Sequence, residues 1–183
     1  MAITRIGPNQ SINLASNVTG TLPAANVANS TLDNVTALPA AIPTGKVLQV
    51  VTGTSTTQST TTSTSYQAST LSVAITPSAA SSKIYVNASF PAHVLGISSG
   101  DNGGQYTIYK DSSAVIAVAQ DAFYSNNGTG LSLRQNLSVL NSPSTTSAIT
   151  YKIYFKNRAG SSTQGIMTNS GEGTITAMEI GAW

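Results

Sequence analysis

The side chains that could carry out acid–base chemistry are few in this sequence. The chain has one histidine, His93, and six carboxylates, and it has no cysteine. Residues 96–100 (Gly-Ile-Ser-Ser-Gly) have the Gly-x-Ser-x-Gly spacing of a hydrolase nucleophile, but that pattern positions its serine only at a strand–turn–helix junction, and no helical period follows these residues. We therefore assign His93 no partner for nucleophilic catalysis. We interpret it as a structural residue. The carboxylates are Asp33, Asp101, Asp111, Asp121, Glu172 and Glu179.

No two of these carboxylates share a short motif. Glycoside hydrolysis needs two carboxyl groups about 5 to 10 Å apart, and Asp101, Asp111 and Asp121, ten residues from one another, could meet at one end of a β-sandwich. We interpret them as turn residues, because Asp favours turns. Residues 101–104 (Asp-Asn-Gly-Gly) lack the alternating donors and the closing Glu of a calcium loop. The sequence therefore predicts no metal, no cofactor and no enzymatic activity.

The composition narrows the class of protein further. Charged residues make up 8% of the 183 positions, against about 25% in an ordinary soluble domain, and Ser and Thr, roughly 50 residues, take their place. The net charge is +2 and the basic residues are scattered, whereas a nucleic-acid surface needs several phosphate contacts side by side. No run approaches the ~20 apolar residues of a membrane span, and the N-terminus lacks the apolar core of a secretory signal. We predict no nucleic-acid partner, no membrane partner and no export by the usual route.

From Lys46 onward, apolar and polar residues alternate with a period of two between turn residues, which indicates β-strands. Strands are predicted at residues 46–51, 66–76, 83–90, 105–110, 114–119, 131–140, 148–156 and 174–180. The run of Ser and Thr at residues 52–65 has high β propensity and nothing to bury, so we expect an edge strand or an exposed loop there. About eight short strands without a helical period predict an all-β fold, an antiparallel β-sandwich of jelly-roll type over residues 46–183.

Residues 1–45 differ from the rest of the chain. They contain no aromatic residue and only two charged side chains, so they cannot close a core of their own. Residues 17–25 are echoed by residues 34–41, but two copies are too few for a solenoid. The pattern suits an extended arm that anchors the chain and winds with two further copies; a flexible linker is the alternative. The candidate anchoring residues are Ile12, Leu14, Val18, Leu22, Val27, Leu32, Val35 and Leu38.

The arm carries a resemblance to a known group of proteins. Its segment Asn-Val-Thr-Gly-Thr-Leu-Pro, residues 17–23, resembles the shaft segments of tailed-bacteriophage fibre proteins. Residues 45–51, 71–77, 81–84 and 174–180, with the Ser/Thr run, resemble small fibre-like or decoration proteins of cyanophages and other marine and freshwater phages. The resemblance implies a virion component, made in the host cytoplasm, and a homotrimer. It implies no catalytic residue.

Two functions follow, and both stay open at this point. In the first, the chain is a receptor-binding tail fibre or spike, whose arm attaches to a tail adaptor protein and whose sandwich contacts the host surface, for example a glycan. In the second, it is a capsid decoration or cement protein, a head fibre or knob whose arm lies on the major capsid protein and stabilises the shell. A lectin-like or hydrolytic domain outside phages is a third interpretation.

The first function directs attention to two predicted loops, at residues 98–104 and 123–130. Both are rich in Gly, Asn and Ser, and the second contains Tyr, which suits polar contacts with sugars, multiplied by three in a trimer. The candidate host-contact residues are Asp101, Asn102, Tyr124, Asn126 and Asn127.

Overall fold

The computed structural model describes residues 46–95, 102–115, 121–125, 130–159 and 162–181, with the backbone alone at 95, 102 and 121–125. Within these residues the chain forms eleven β-strands and a 3-10 turn at Thr168–Ser170. The strands are β1 Val47–Ser55, β2 Ser59–Thr61, β3 Gln67–Ile75, β4 Lys83–Leu95, β5 Asn102–Lys110, β6 Ser113–Ala114, β7 Asp121–Ser125, β8 Leu131–Asn141, β9 Ile149–Asn157, β10 Thr163–Ile166 and β11 Gly173–Ile180.

Two antiparallel sheets form a sandwich, which confirms the predicted all-β fold class. The first sheet has the order β1-β11-β4-β10-β2, and β8 pairs with the other edge of β4. The second sheet has the order β3-β9-β5-β6, and β7 also pairs with β5. The long central strand β4 therefore organises the first sheet, and β9 and β5 organise the second. The predicted anchoring arm, with Ile12, Leu14, Val18, Leu22, Val27, Leu32, Val35 and Leu38, lies outside the described residues.

The core between the sheets follows from the period of two. In β9 the odd-numbered residues are buried and the even-numbered residues are half-buried, and β11 alternates in the same way. Tyr106 links the two sheets: its ring lies 5.4 Å from the ring of Phe90, centroid to centroid, and its hydroxyl donates to the Gly165 carbonyl oxygen at 3.3 Å. A fully buried side chain of this kind contributes about 1.5–3 kcal/mol, so the alternation largely decides which faces meet.

The Ser/Thr run closes one edge of the sandwich, where β1 of the first sheet approaches β3 of the second. The hydroxyl oxygens of Ser55 and Thr70 lie 2.7 Å apart, and the Thr70 hydroxyl donates to the Thr57 carbonyl oxygen at 3.1 Å. The run supplies the last residues of β1 and all of β2. These two strands are the first and the last in the strand order of the first sheet. The prediction of edge structure in this run is confirmed.

Some boundaries differ from the sequence-based prediction. β10 was not predicted, because it has four residues and one of them is Gly165. The second half of β7 and the start of β5 lie within the two predicted loops. A two-residue strand, β6, stands at the start of the strand predicted at 114–119, and residues 116–119 lie outside the described residues. In each case a short polar segment pairs because a neighbouring strand supplies the hydrogen-bonding partner.

Candidate interaction surfaces

Two of the predicted host-contact residues lie on adjacent strands of the second sheet. Asn102 begins β5 and Tyr124 belongs to β7. In the register of these strands Asn102 is opposite Ser125, and Gly103 is opposite Tyr124. Asp101, Asn126 and Asn127 lie outside the described residues. The structure thus places Asn102 and Tyr124 in strands rather than in free loops, and their contact with a host surface stays a prediction.

His93, the one candidate general base, is a buried residue of β4. Its side chain is 4% exposed, and its Nε2 atom has no hydrogen-bond partner among the described residues. Burial lowers the pKa of this imidazole, because the cationic form is poorly solvated there. In the register of β4 and β10, His93 is opposite Gly165. A neutral, enclosed ring beside a glycine suits packing.

Glu179 is a buried carboxylate that joins three segments. Its Oε1 accepts hydrogen bonds from the Ser78 N–H at 2.7 Å and the Ser78 hydroxyl at 2.6 Å, and its Oε2 accepts from Gln49 Nε2 at 2.6 Å. Burial by itself would raise the pKa of this carboxyl, but the donors of Ser78 and Gln49, with the nearby hydroxyl of Ser82, hold the pKa at about 2. A carboxylate kept charged in this way transfers protons poorly near neutral pH, so it acts as a structural link between β11, β1 and the β3–β4 connection.

Replacing Glu179 by Gln is expected to lower the free energy of unfolding by about 2 kcal/mol at neutral pH, because an amide cannot accept from all these donors. The folded pKa of about 2 lies below the ordinary value of 4.5. The carboxylate therefore stabilises the fold above pH 4.5, and this stabilisation is lost as the pH falls towards 2. Urea unfolding at neutral pH and at about pH 2.5 measures the difference between wild type and variant, which should shrink at the lower pH.

The control for this prediction is Glu172→Gln, since Glu172 is an exposed carboxylate. That variant should change the stability by less than about 0.5 kcal/mol. Equal losses for the two variants, or a loss at Glu179 that persists at low pH, would contradict the assigned role.

Four apolar side chains form a row across the outer face of the first sheet. Val50 of β1 is opposite Met178 of β11, Met178 is opposite Tyr85 of β4, and Tyr85 is opposite Leu140 of β8. At about 4.8 Å between strands, this apolar row spans roughly 15 Å. Val50 is 56% exposed and Leu140 is 53% exposed. The row crosses the four neighbouring strands at this end of the sheet, from β1 to β8.

The apolar character is confined to one end of this outer face. Val47 and Leu48, which are also exposed, lie at the same end, where β1 begins. The next position on the same four strands is wholly polar. Its residues are Thr52, Thr176, Asn87 and Ser138. An exposed apolar cluster rimmed by polar residues is typical of a surface that another protein covers.

Three tyrosines and two lysines form a second surface, on the outer face of the second sheet, which we call the tyrosine–lysine face. The rings of Tyr109 and Tyr154 stack with centroids 3.9 Å apart and planes at 18°, and Tyr66 lies 6.1 Å from Tyr109. Lys156 places its Nζ atom 5.0 Å from the centroid of the Tyr66 ring. Lys152, the second lysine, is opposite Tyr109 in the register of β5 and β9.

None of the five residues of this face is a contact residue predicted from the sequence. The period of two in β9 could have placed Lys152, Tyr154 and Lys156 on one side of that strand. It could not bring in Tyr66 or Tyr109, because their proximity depends on the pairing of β5 with β9 and on the path of the chain before β3.

Among the described residues no group of three or more side chains could hold a metal ion. In the same part of the chain no helix is long and apolar enough to cross a membrane.

No protein-family model and no curated protein matches the chain. Among solved structures it is similar to a chain of the T13 viral particle of infectious bursal disease virus, with 12% identity, 72% of this chain and 37% of that chain covered, and a TM-score of 0.37. It is also similar to VP2 of the subviral particle of that virus, with 14% identity, 73% and 37% coverage, and a TM-score of 0.37. This chain spans little more than a third of the length of either. The TM-scores are too low for these likenesses to bear on its function.

Proposed function

We propose that the chain is a non-enzymatic structural protein of a bacteriophage particle, assembled as a homotrimer. As a tail fibre or spike component, the chain attaches through residues 1–45 and presents the sandwich to the host. Support comes from the resemblance of residues 17–23 to phage fibre shafts and from the β-sandwich that follows. The scarcity of charged residues is in keeping with a subunit that is stabilised by packing and backbone pairing.

The observation that carries the proposal is the apolar row of Val50, Met178, Tyr85 and Leu140. Its two ends are more than half exposed, and apolar surface of this kind gains roughly 25 cal/mol per Å² when a neighbour covers it. In a ring of three copies each contact is heterologous, so the row of one copy packs on a different surface of the next. We therefore expect the subunit to be part of an assembly in which a neighbouring copy covers this row.

The position on the particle has two candidates. A tail position, with a tail adaptor protein as partner, agrees with the shaft-like segment at residues 17–23. In a shell position, with the major capsid protein as partner, residues 1–45 would lie on the shell and the sandwich would stand above it as a knob. Immunogold imaging of purified particles separates the two by where the label is found. Particles without label would contradict both.

Replacing Val50 by Asp is expected to break the trimer. Wild type should have a mass of about 56 kDa by light scattering, three copies of an 18.7 kDa chain. Loss of a buried valine contact removes about 2 kcal/mol per interface, or about 30-fold in affinity, and the new carboxylate adds a desolvation penalty. At micromolar concentration the variant should therefore move towards monomer.

Thr52→Asp is the matched control, because Thr52 is exposed on the same strand and face, outside the apolar row. It should keep the wild-type mass, and circular dichroism should show that both variants keep their β structure. A wild-type monomer at micromolar concentration, or an unchanged mass for Val50→Asp, would overturn the role of the row.

A further inference from the structure

We propose that the tyrosine–lysine face binds an oligosaccharide that carries carboxylate groups. This binding deepens the proposed function, on which it rests, by giving the host contact a site and a ligand class. The site differs from the predicted contact residues Asp101, Asn102, Tyr124, Asn126 and Asn127.

The three rings are held in place before any ligand arrives. Tyr109 and Tyr154 are parallel within 18° at 3.9 Å, and Tyr66 is tilted by 58° against Tyr109. Beside them Thr107, opposite Tyr154 on the same face, is only 1% exposed. Rings that fix one another lose little rotamer freedom on binding, and tyrosine offers flat apolar area together with a hydroxyl. A sugar ring has the same two kinds of surface.

The two lysines beside the rings favour an anionic ligand. Lys152 and Lys156 lie on β9 beside the rings, and Lys156 is held 5.0 Å from the Tyr66 centroid. The described outward positions of β3, β5 and β9 on this face contain no carboxylate. Asp111, at the β5–β6 turn, accepts a hydrogen bond from the Thr150 N–H at 2.9 Å. Asp121 of β7 is opposite Gln105 of β5, so the neighbouring strand of this sheet also carries an acidic residue. The cationic groups beside the three rings are Lys152 and Lys156, and they attract a ligand with negative groups.

A nucleic acid fits this face less well than a glycan does. Two lysines are fewer than the several phosphate contacts from which nucleic-acid affinity comes. One face of Tyr109 and one face of Tyr154 cover each other at 3.9 Å, so no base can insert between these two rings, whereas a sugar can lie across their edges and hydroxyls. A few anionic groups on a polyhydroxylated ligand match the two lysines and three tyrosines.

Calorimetric titration of the purified full-length protein tests the proposal, with trigalacturonate as the anionic probe and galactotriose as the neutral one. We expect a sub-millimolar Kd for trigalacturonate that weakens as salt rises, and at least tenfold weaker binding of galactotriose. Lys152→Gln and Lys156→Gln should each weaken trigalacturonate binding by about three- to tenfold. Tyr154→Phe, which keeps the ring and removes only the hydroxyl, should weaken it less than Tyr154→Ala. Lys83→Gln, on the first sheet, is the matched control and should bind as wild type does.

Several outcomes would overturn the site. They are equal binding of the two probes, no loss in either lysine variant, an equal loss in Lys83→Gln, no detectable binding at about 10 mM probe, or tighter binding of a single-stranded oligonucleotide than of trigalacturonate. Thermal melting of each variant separates lost binding from lost folding. The titration needs neither a virion nor a trimer, so binding by a protein that proves monomeric would uphold this site while the proposed assembly fails.

Discussion

Replacing Gly53 by Ala is expected to lower the free energy of unfolding by at least about 3 kcal/mol. A methyl group at this position would lie 2.0 Å from the carbonyl oxygen of Ser72 and 3.0 Å from its carbonyl carbon. Both atoms belong to the backbone of β3, so no side-chain rotation relieves the clash. β1 and β3 must move apart, and this movement also breaks the contact between the Ser55 and Thr70 hydroxyls at the same edge.

Gly130→Ala is the control for that experiment. Its methyl group would meet the Val94 carbonyl oxygen at 3.5 Å, an ordinary van der Waals distance, so its effect should stay within about 0.5 kcal/mol. Urea unfolding followed by circular dichroism measures both variants. A Gly53→Ala protein within about 1 kcal/mol of wild type would show that the two sheets do not meet at this edge as described.

Much of the fold could be predicted from the sequence because burial imposes a period of two on each strand. The alternation in β3, β9 and β11 is visible in the residues alone, and the structure buries the expected side of each. Tyr106 and Tyr151 show the limit of this signal. We expect tyrosine at half-buried positions because of its polar tip, but both rings are fully buried, where the hydroxyls are satisfied by Gly165 and Asn141.

The surfaces could not be predicted in the same way, because they depend on which strands are neighbours. Val50, Tyr85, Leu140 and Met178 come from four strands that are distant in the sequence, and only the order β1-β11-β4 with β8 beyond it brings them into one row. Each residue alone is an ordinary apolar side chain that is exposed or half-buried. The same holds for Glu179, whose donors come from residues 101 and 130 positions away. Pairing order is a long-range property that local periodicity does not contain.

Replacing Gly165 by Ala is expected to lower the free energy of unfolding by about 2–3 kcal/mol. The added methyl group would lie 2.5 Å from Nε2 and 2.9 Å from Cδ2 of the His93 ring. That ring is rigid and buried, and Gly165 is paired on both sides, with β4 and with β2. Its carbonyl oxygen also accepts the hydrogen bond from Tyr106, so a shift of the Gly165 backbone would disturb the link between the two sheets.

A double-mutant cycle tests whether His93 is the cause. His93→Ala alone should be destabilising by about 1–2 kcal/mol, because a buried ring is lost. Once the ring is gone the methyl group at Gly165 has room, so the double variant should be more stable than the sum of the single losses predicts, by at least about 1.5 kcal/mol. Gly165→Ala combined with Ile75→Val, on the other sheet, should be additive within about 0.5 kcal/mol. Additivity in the His93 cycle as well would mean that the backbone around Gly165, rather than the imidazole, excludes a side chain there. The volume of the His93 ring would then have no part in holding β10 against β4.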